Sequence, residues 1–206
     1  MLFRSIKDSV FPLATVNGIY KYAFENGANW QNFNLNGRHT TTIDNRDSIG
    51  YLFDKLASKT RNPFPNKIEW ETDNVQNGRN LWIEILELDT LAEKAFWHKE
   101  LNPSLTQNGK TEVVNFNKNK SGAVIAKVTG NTINIQTSRV KRIKLYISPD
   151  MFDMGRQIKL VINGKKFINF KPSADKNVII DEFLKTKDRD FIVANIIQLT
   201  IKNKIE

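Results

Sequence analysis

Cysteine is absent from the 206 residues. That excludes disulfides, a cysteine nucleophile and thiolate zinc sites. It leaves the compartment open, because exported bacterial proteins often lack cysteine too. Histidine occurs twice, at His39 and His98. With the carboxylates scattered, neither a structural metal nor a cofactor is expected. No apolar run approaches the ~20 residues of a membrane span. The start, MLFRSIKDSV, has no basic segment followed by an apolar stretch. No membrane partner or secretory signal is expected. Internal repeats and low-complexity segments are also lacking.

What is abundant is positive charge, with 31 Lys and Arg against 22 Asp and Glu. A net charge of +9 permits an anionic partner. The densest basic run, RVKRIKLYI, alternates instead of clustering. Ile143, Leu145 and Ile147 fall on one side, and Arg142, Lys144 and Tyr146 on the other. That pattern reads as a half-buried strand with a solvated face, so nucleic acid is not an expected partner.

A short apolar segment at 2–7 leads to KDSVFP. Pro12 stands where helices begin, and Val16, Ile19, Tyr20, Ala23 and Phe24 recur at helical spacing up to Gly27. NWQNFNL reads as a short strand and NGRH as a turn. Asp44 or Asp47 can cap a second helix with the apolar face Ile49, Leu52, Phe53 and Leu56. RNPFPNK excludes helix and marks a boundary near residue 62. The remainder alternates like strands: KIEWE, LWIEILEL, AVIAKV, NTINIQT, RVKRIKLYI and IKLVINGKKFINF. In the last of these, Asn163-Gly164 predicts a type I′ hairpin turn. NVIIDEFLKTK reads as a short helix and IVANIIQLTIK as a closing strand, while 88–111 gives no clear pattern.

The segment IKDSVFPLATV…ENGANWQNFNLNGRHTTTI resembles the end of the catalytic domain in α/β-hydrolase esterases and prolyl-oligopeptidase-type peptidases. The later β-rich stretches are similar to an extension that follows that domain in some bacterial members. The resemblance implies that Asp8 is the triad acid and His39 the triad base, on loops after neighbouring parallel strands, with Gly37 in the turn before the base. Asp8 can also serve as a simple helix cap.

The family order is Ser, Asp, His. Only Ser5 precedes Asp8, and no serine in the chain has Gly two positions before it. The resemblance therefore implies the tail of a serine hydrolase, inactive alone. In the intact parent, its partners would be the missing N-terminal hydrolase portion and a small ester or peptide substrate.

The expected fold class is α+β. Residues 1–62 would form a short β-α-β-α tail of an α/β-hydrolase sheet, and 63–206 a β-sandwich-like domain. Cut from its sheet, the first segment exposes an open edge and invites self-association. The alternative is a non-catalytic β-sandwich module that binds carbohydrate or packs on a neighbouring domain. Trp30, Trp70, Trp82 and Trp97 could stack on sugar, although core packing is the commoner role. Glu69 and Glu71 stand two apart, at a spacing that overlaps an inverting glycosidase pair, yet a solvated strand face gives the same pattern. His98 has no matching acid in the sequence and reads as a surface residue.

Overall fold

The computed structural model describes residues 2–5, 7, 13–25, 32–35, 46–57, 59–99, 104–107, 110–113 and 119–201. In chain order the first elements are β1 (Leu2–Ser5), α1 (Leu13–Glu25), β2 (Asn32–Leu35), α2 (Arg46–Ala57), β3 (Lys67–Thr72), β4 (Arg79–Asn80), β5 (Ile83–Leu88), β6 (Ser104–Gln107) and β7 (Lys110–Val113). There follow β8 (Gly122–Thr129), β9 (Thr132–Ser138), β10 (Val140–Ile147), β11 (Ile158–Ile162), β12 (Lys166–Phe170), α3 (Lys176–Thr186) and β13 (Asn195–Thr200). The fold is mixed α+β and strand-rich.

The chain forms two compact units. One is Met1–Arg61 with Leu101–Phe116, and the other is Asn62–Glu100 with Asn117–Glu206. The first division falls in RNPFPNK. The hairpin β6–β7 groups with the first unit, whereas the sequence reading gives it to a continuous 63–206 domain.

In the first unit, β1 and β2 pair in parallel, with Leu2 opposite Asn32 and Ser5 opposite Leu35. Parallel strands need a crossover, and α1 supplies it. Its periodic residues Val16, Ile19, Tyr20 and Ala23 are half-buried, and it packs against β6. The second helix departs from expectation. Phe53 is 69% exposed and Leu56 57%, so two residues of its apolar stripe face outward.

In the second unit, two sheets share one core. The first has the order β13-β10-β5-β4 and is antiparallel throughout. The other has the order β12-β11-β9-β8-β3, antiparallel except for β9 and β11. Ile133, Ile135, Ile158 and Leu160 from the second meet Ile83, Ile85, Ile143 and Leu145 from the first. Period-2 alternation puts each set on one face of its sheet. Each fully buried aliphatic side chain contributes about 1.5–3 kcal/mol.

The proline-rich boundary is part of this core. Phe64 is buried and stacks on Phe191 with centroids 4.7 Å apart. The Pro65 carbonyl accepts from the Trp82 indole N–H at 2.9 Å. Trp82 is fully buried, which makes it core and removes it from any sugar platform. Trp70 is half-buried and donates to the Asn77 carbonyl.

The β9–β10 corner is sharp. Ser138 ends β9, Arg139 takes φ 53°, and β10 begins in the other sheet at Val140. Left-handed backbone at a non-glycine residue costs on the order of 1 kcal/mol. Gly122 lies against this corner. A Cβ there would come within 2.7 Å of the Arg139 carbonyl oxygen. Asn163 and Gly164 take the positive φ values expected of them, 50° and 68°, and the Lys165 N–H donates to the Ile162 carbonyl, but Ile162 pairs with Lys166, so the loop has three residues and not the two of a simple type I′ hairpin.

Candidate functional site

Asp8, Gly37 and His39 lie outside the described residues, as do Trp30 and Asp44. The strands that lead to the candidate acid and base are described. Ser5 and Leu35 are register partners at the carboxyl ends of β1 and β2. Asp8 follows Ser5 by three positions and His39 follows Leu35 by four. The chain therefore leaves the same end of two adjacent parallel strands on its way to each residue, at points about 4.8 Å apart. Ligands and catalytic groups of open α/β sheets gather at that end.

A second constellation was not visible in the sequence. His98 is not a surface residue: it is 3% exposed and sits among side chains from three other segments. Its Nδ1 lies 2.9 Å from Ser138 Oγ, at the end of β9. Its Nε2 lies 3.4 Å from Ser121 Oγ and 3.4 Å from Glu71 Oε1. The Ser121 hydroxyl donates to Glu71 Oε1 at 2.6 Å, and the Ala95 N–H donates to Ser138 Oγ at 3.0 Å. Glu71 thus turns inward, while Glu69 is exposed and pairs with Lys67. The two carboxylates thus have different partners.

Proton placement follows from satisfaction of every buried group. With hydrogen on Nε2, His98 donates toward Glu71, and Nδ1 accepts from the Ser138 hydroxyl. Ser138 oxygen then accepts from Ala95. This is the donor order of a hydrolase triad: serine to imidazole to carboxylate. It does not make a usable nucleophile. The base belongs to the same segment, residues 89–99, whose Ala95 N–H covers the serine oxygen. Lifting that segment to admit a substrate removes the base as well.

A third cluster ties α3 to β4, β5 and β10. Glu182 is buried on α3, with Arg79 Nη1 3.0 Å from Oε2 and Lys185 Nζ 2.8 Å from Oε1. The Arg79 guanidinium stacks 3.9 Å above the Tyr146 ring. The Tyr146 hydroxyl donates to Glu84, which also receives Lys144 at 3.0 Å. Tyr146 is therefore buried, not on the solvated face assigned to it with Arg142 and Lys144. Burial, then the hydrogen bond to Glu84, push its phenol well above the usual range. Burial also raises the Glu182 carboxyl, but the Lys185 hydrogen bond and the Arg79 charge outweigh it. The net result lies below the ordinary carboxylate value. Glu182 in turn raises Lys185.

Among the described residues, no group of three or more acidic or histidine side chains is arranged to hold a metal ion, and no helix is long and apolar enough to cross a membrane. Comparison with protein-family models, with curated proteins and with solved structures gives no match.

Proposed function

We propose that the chain is the C-terminal portion of a serine α/β hydrolase, of esterase or prolyl-oligopeptidase-like type, followed by a β-sandwich-like extension. Asp8 is its triad acid and His39 its triad base. In the intact enzyme, His39 takes the proton of a serine hydroxyl supplied by the preceding portion. Asp8 holds the other ring nitrogen and stabilises the imidazolium. Without that serine and its oxyanion donors, the chain is inactive alone.

The observation that carries this reading is the β1-α1-β2 unit. Its strands are parallel and adjacent, and Ser5 and Leu35 lie level at their carboxyl ends. The outward apolar residues of α2, Phe53 and Leu56, support a larger parent body against which they pack. Two sheets around one core support the sandwich-like reading of the second unit.

The test is the coding DNA upstream of Met1. The proposal expects an in-frame or frame-shifted segment that encodes a Gly-x-Ser-x-Gly elbow. A promoter and ribosome site directly upstream, with no such segment, would overturn it.

The alternative is a non-catalytic module that packs on a neighbouring domain or binds carbohydrate. The outward stripe Ile180, Phe183 and Leu184 on α3 favours the packing version. The burial of Trp82 weighs against the sugar version. Titration with polysaccharides, with Trp70→Ala as control, decides the latter: no binding to any glycan removes it.

A further inference from the structure

Residues 89–99 pass along the second unit with their polarity reversed. Leu91 is 94% exposed and Phe96 is 99% exposed. Within this strap, His98 alone is fully buried. Trp97 is half-buried and supplies the main apolar contact of the strap, and named polar bonds hold the rest. The Asp89 N–H donates to the Arg139 carbonyl at 2.8 Å, and Arg139 Nε donates to the Ala92 carbonyl at 3.3 Å. The Ala95 N–H donates to Ser138 Oγ, and Lys120 Nζ donates to the Thr90 carbonyl at 3.4 Å.

The position of these bonds in the chain matters. The chain leaves the second unit after Glu100 and returns to it at Asn117. His98 stands just before the departure and Ser121 just after the return. Both rest on the same carboxylate, that of Glu71 on β3. The return is fixed further by the Asn119 N–H, which donates to Asp73 Oδ2 at 3.1 Å. The two ends of the excursion are thus closed upon each other by buried polar groups.

We propose that His98, Ser121, Glu71 and Ser138 form a clasp that opens and closes as a unit, independently of the second unit's core. Closed, it fixes the neck of the excursion that carries the hairpin β6–β7. Open, it frees residues 89–99 as a tether that spans at most about 35 Å when extended. Opening exposes the covered part of Trp97 but little other apolar surface, because Leu91 and Phe96 are already outside. Its cost is the polar bonds and the Trp97 contact, offset by the regained loop entropy, so it falls below global unfolding. The inference does not depend on the hydrolase reading, since the clasp lies wholly in the β-rich unit.

Amide hydrogen exchange on the full chain tests it, with peptides covering 89–99 followed against peptides from β8 and β10. His98→Ala is expected to speed exchange across 89–99 about tenfold or more, with β8 and β10 unchanged within about twofold. Ser121→Ala is the milder variant, in case His98→Ala fails to fold, and is expected to act in the same place and direction. Glu71→Gln keeps an acceptor for Ser121 and the imidazole, and is expected to stay closer to wild type than Glu71→Ala. The proposal is overturned if strap and core exchange rise together in the folding-competent variants. It is equally overturned if strap exchange is unchanged in Ser121→Ala and Glu71→Ala.

Discussion

Glu182 shows how far a residue's environment can depart from its place in a pattern. It lies in NVIIDEFLKT, where a helical reading gives it no special status, yet it is buried under Arg79 and Lys185. Its folded-state carboxyl titrates below the ordinary value. Its stabilising contribution is therefore present above the unfolded carboxylate pKa of about 4.3 and is lost as pH falls through the lower folded value. Glu182→Gln should cost about 1–3 kcal/mol at pH 7, read from urea midpoints. The gap to wild type should shrink in midpoints measured below about pH 4, as the wild-type carboxyl also takes up its proton. The surroundings of His98, Glu71 and Tyr146 are hidden from the sequence for a related reason. Alternation assigns a side to each strand residue, but not what covers that side. The partners of His98 lie on β3, on β9 and at Ser121, and no local signal links them.

Elements were more legible, because their signals are local. The hairpin turn at Asn163-Gly164, with one residue more than expected, and the helix at 176–186 stand where turn chemistry and periodicity put them. AVIAKV holds its expected alternation from Val124, and RVKRIKLYI holds it only as far as Leu145, with a register shift between Val140 and Ile143 and with Tyr146 buried. The strap 89–99 is illegible, because Leu91 and Phe96 face solvent while its one buried residue, His98, is polar. Helix α3 gives a clean test at this scale. Asp175 caps it by accepting from the Asn177 and Val178 N–H groups. Asp175→Ala should cost about 1 kcal/mol in chemical denaturation. Lys187 ends the helix at φ 52°, where glycine is less strained. Lys187→Gly should therefore raise stability by roughly 0.5–1 kcal/mol in the same assay. A loss there would show that the Lys187 side chain contributes more than the backbone strain removes.

At the scale of the molecule, the two units differ in how much they enclose. The second buries one continuous core between two sheets. The first has a two-stranded parallel sheet and outward-facing Phe53 and Leu56. Two strands alone are marginal in water. In hydrogen exchange on dilute protein, amides of β1 and β2 should exchange much faster than those of β8–β10. Protection equal to the core strands in a monomer would count against a unit made to sit in a larger sheet. The candidate acid–base pair admits a more direct measurement, made simple by the absence of native cysteine. Asp8→Cys with His39→Cys places two thiols three and four positions beyond level strand ends. Asp8→Cys with Glu25→Cys is the control, since α1 carries the chain about 18 Å back along the strands. With a short bis-thiol reagent on dilute protein, the first pair should cross-link within the chain and the control should not. Cross-linking of the first pair no faster than the control, or only between chains, would contradict the placement of Asp8 and His39 as a triad acid and base.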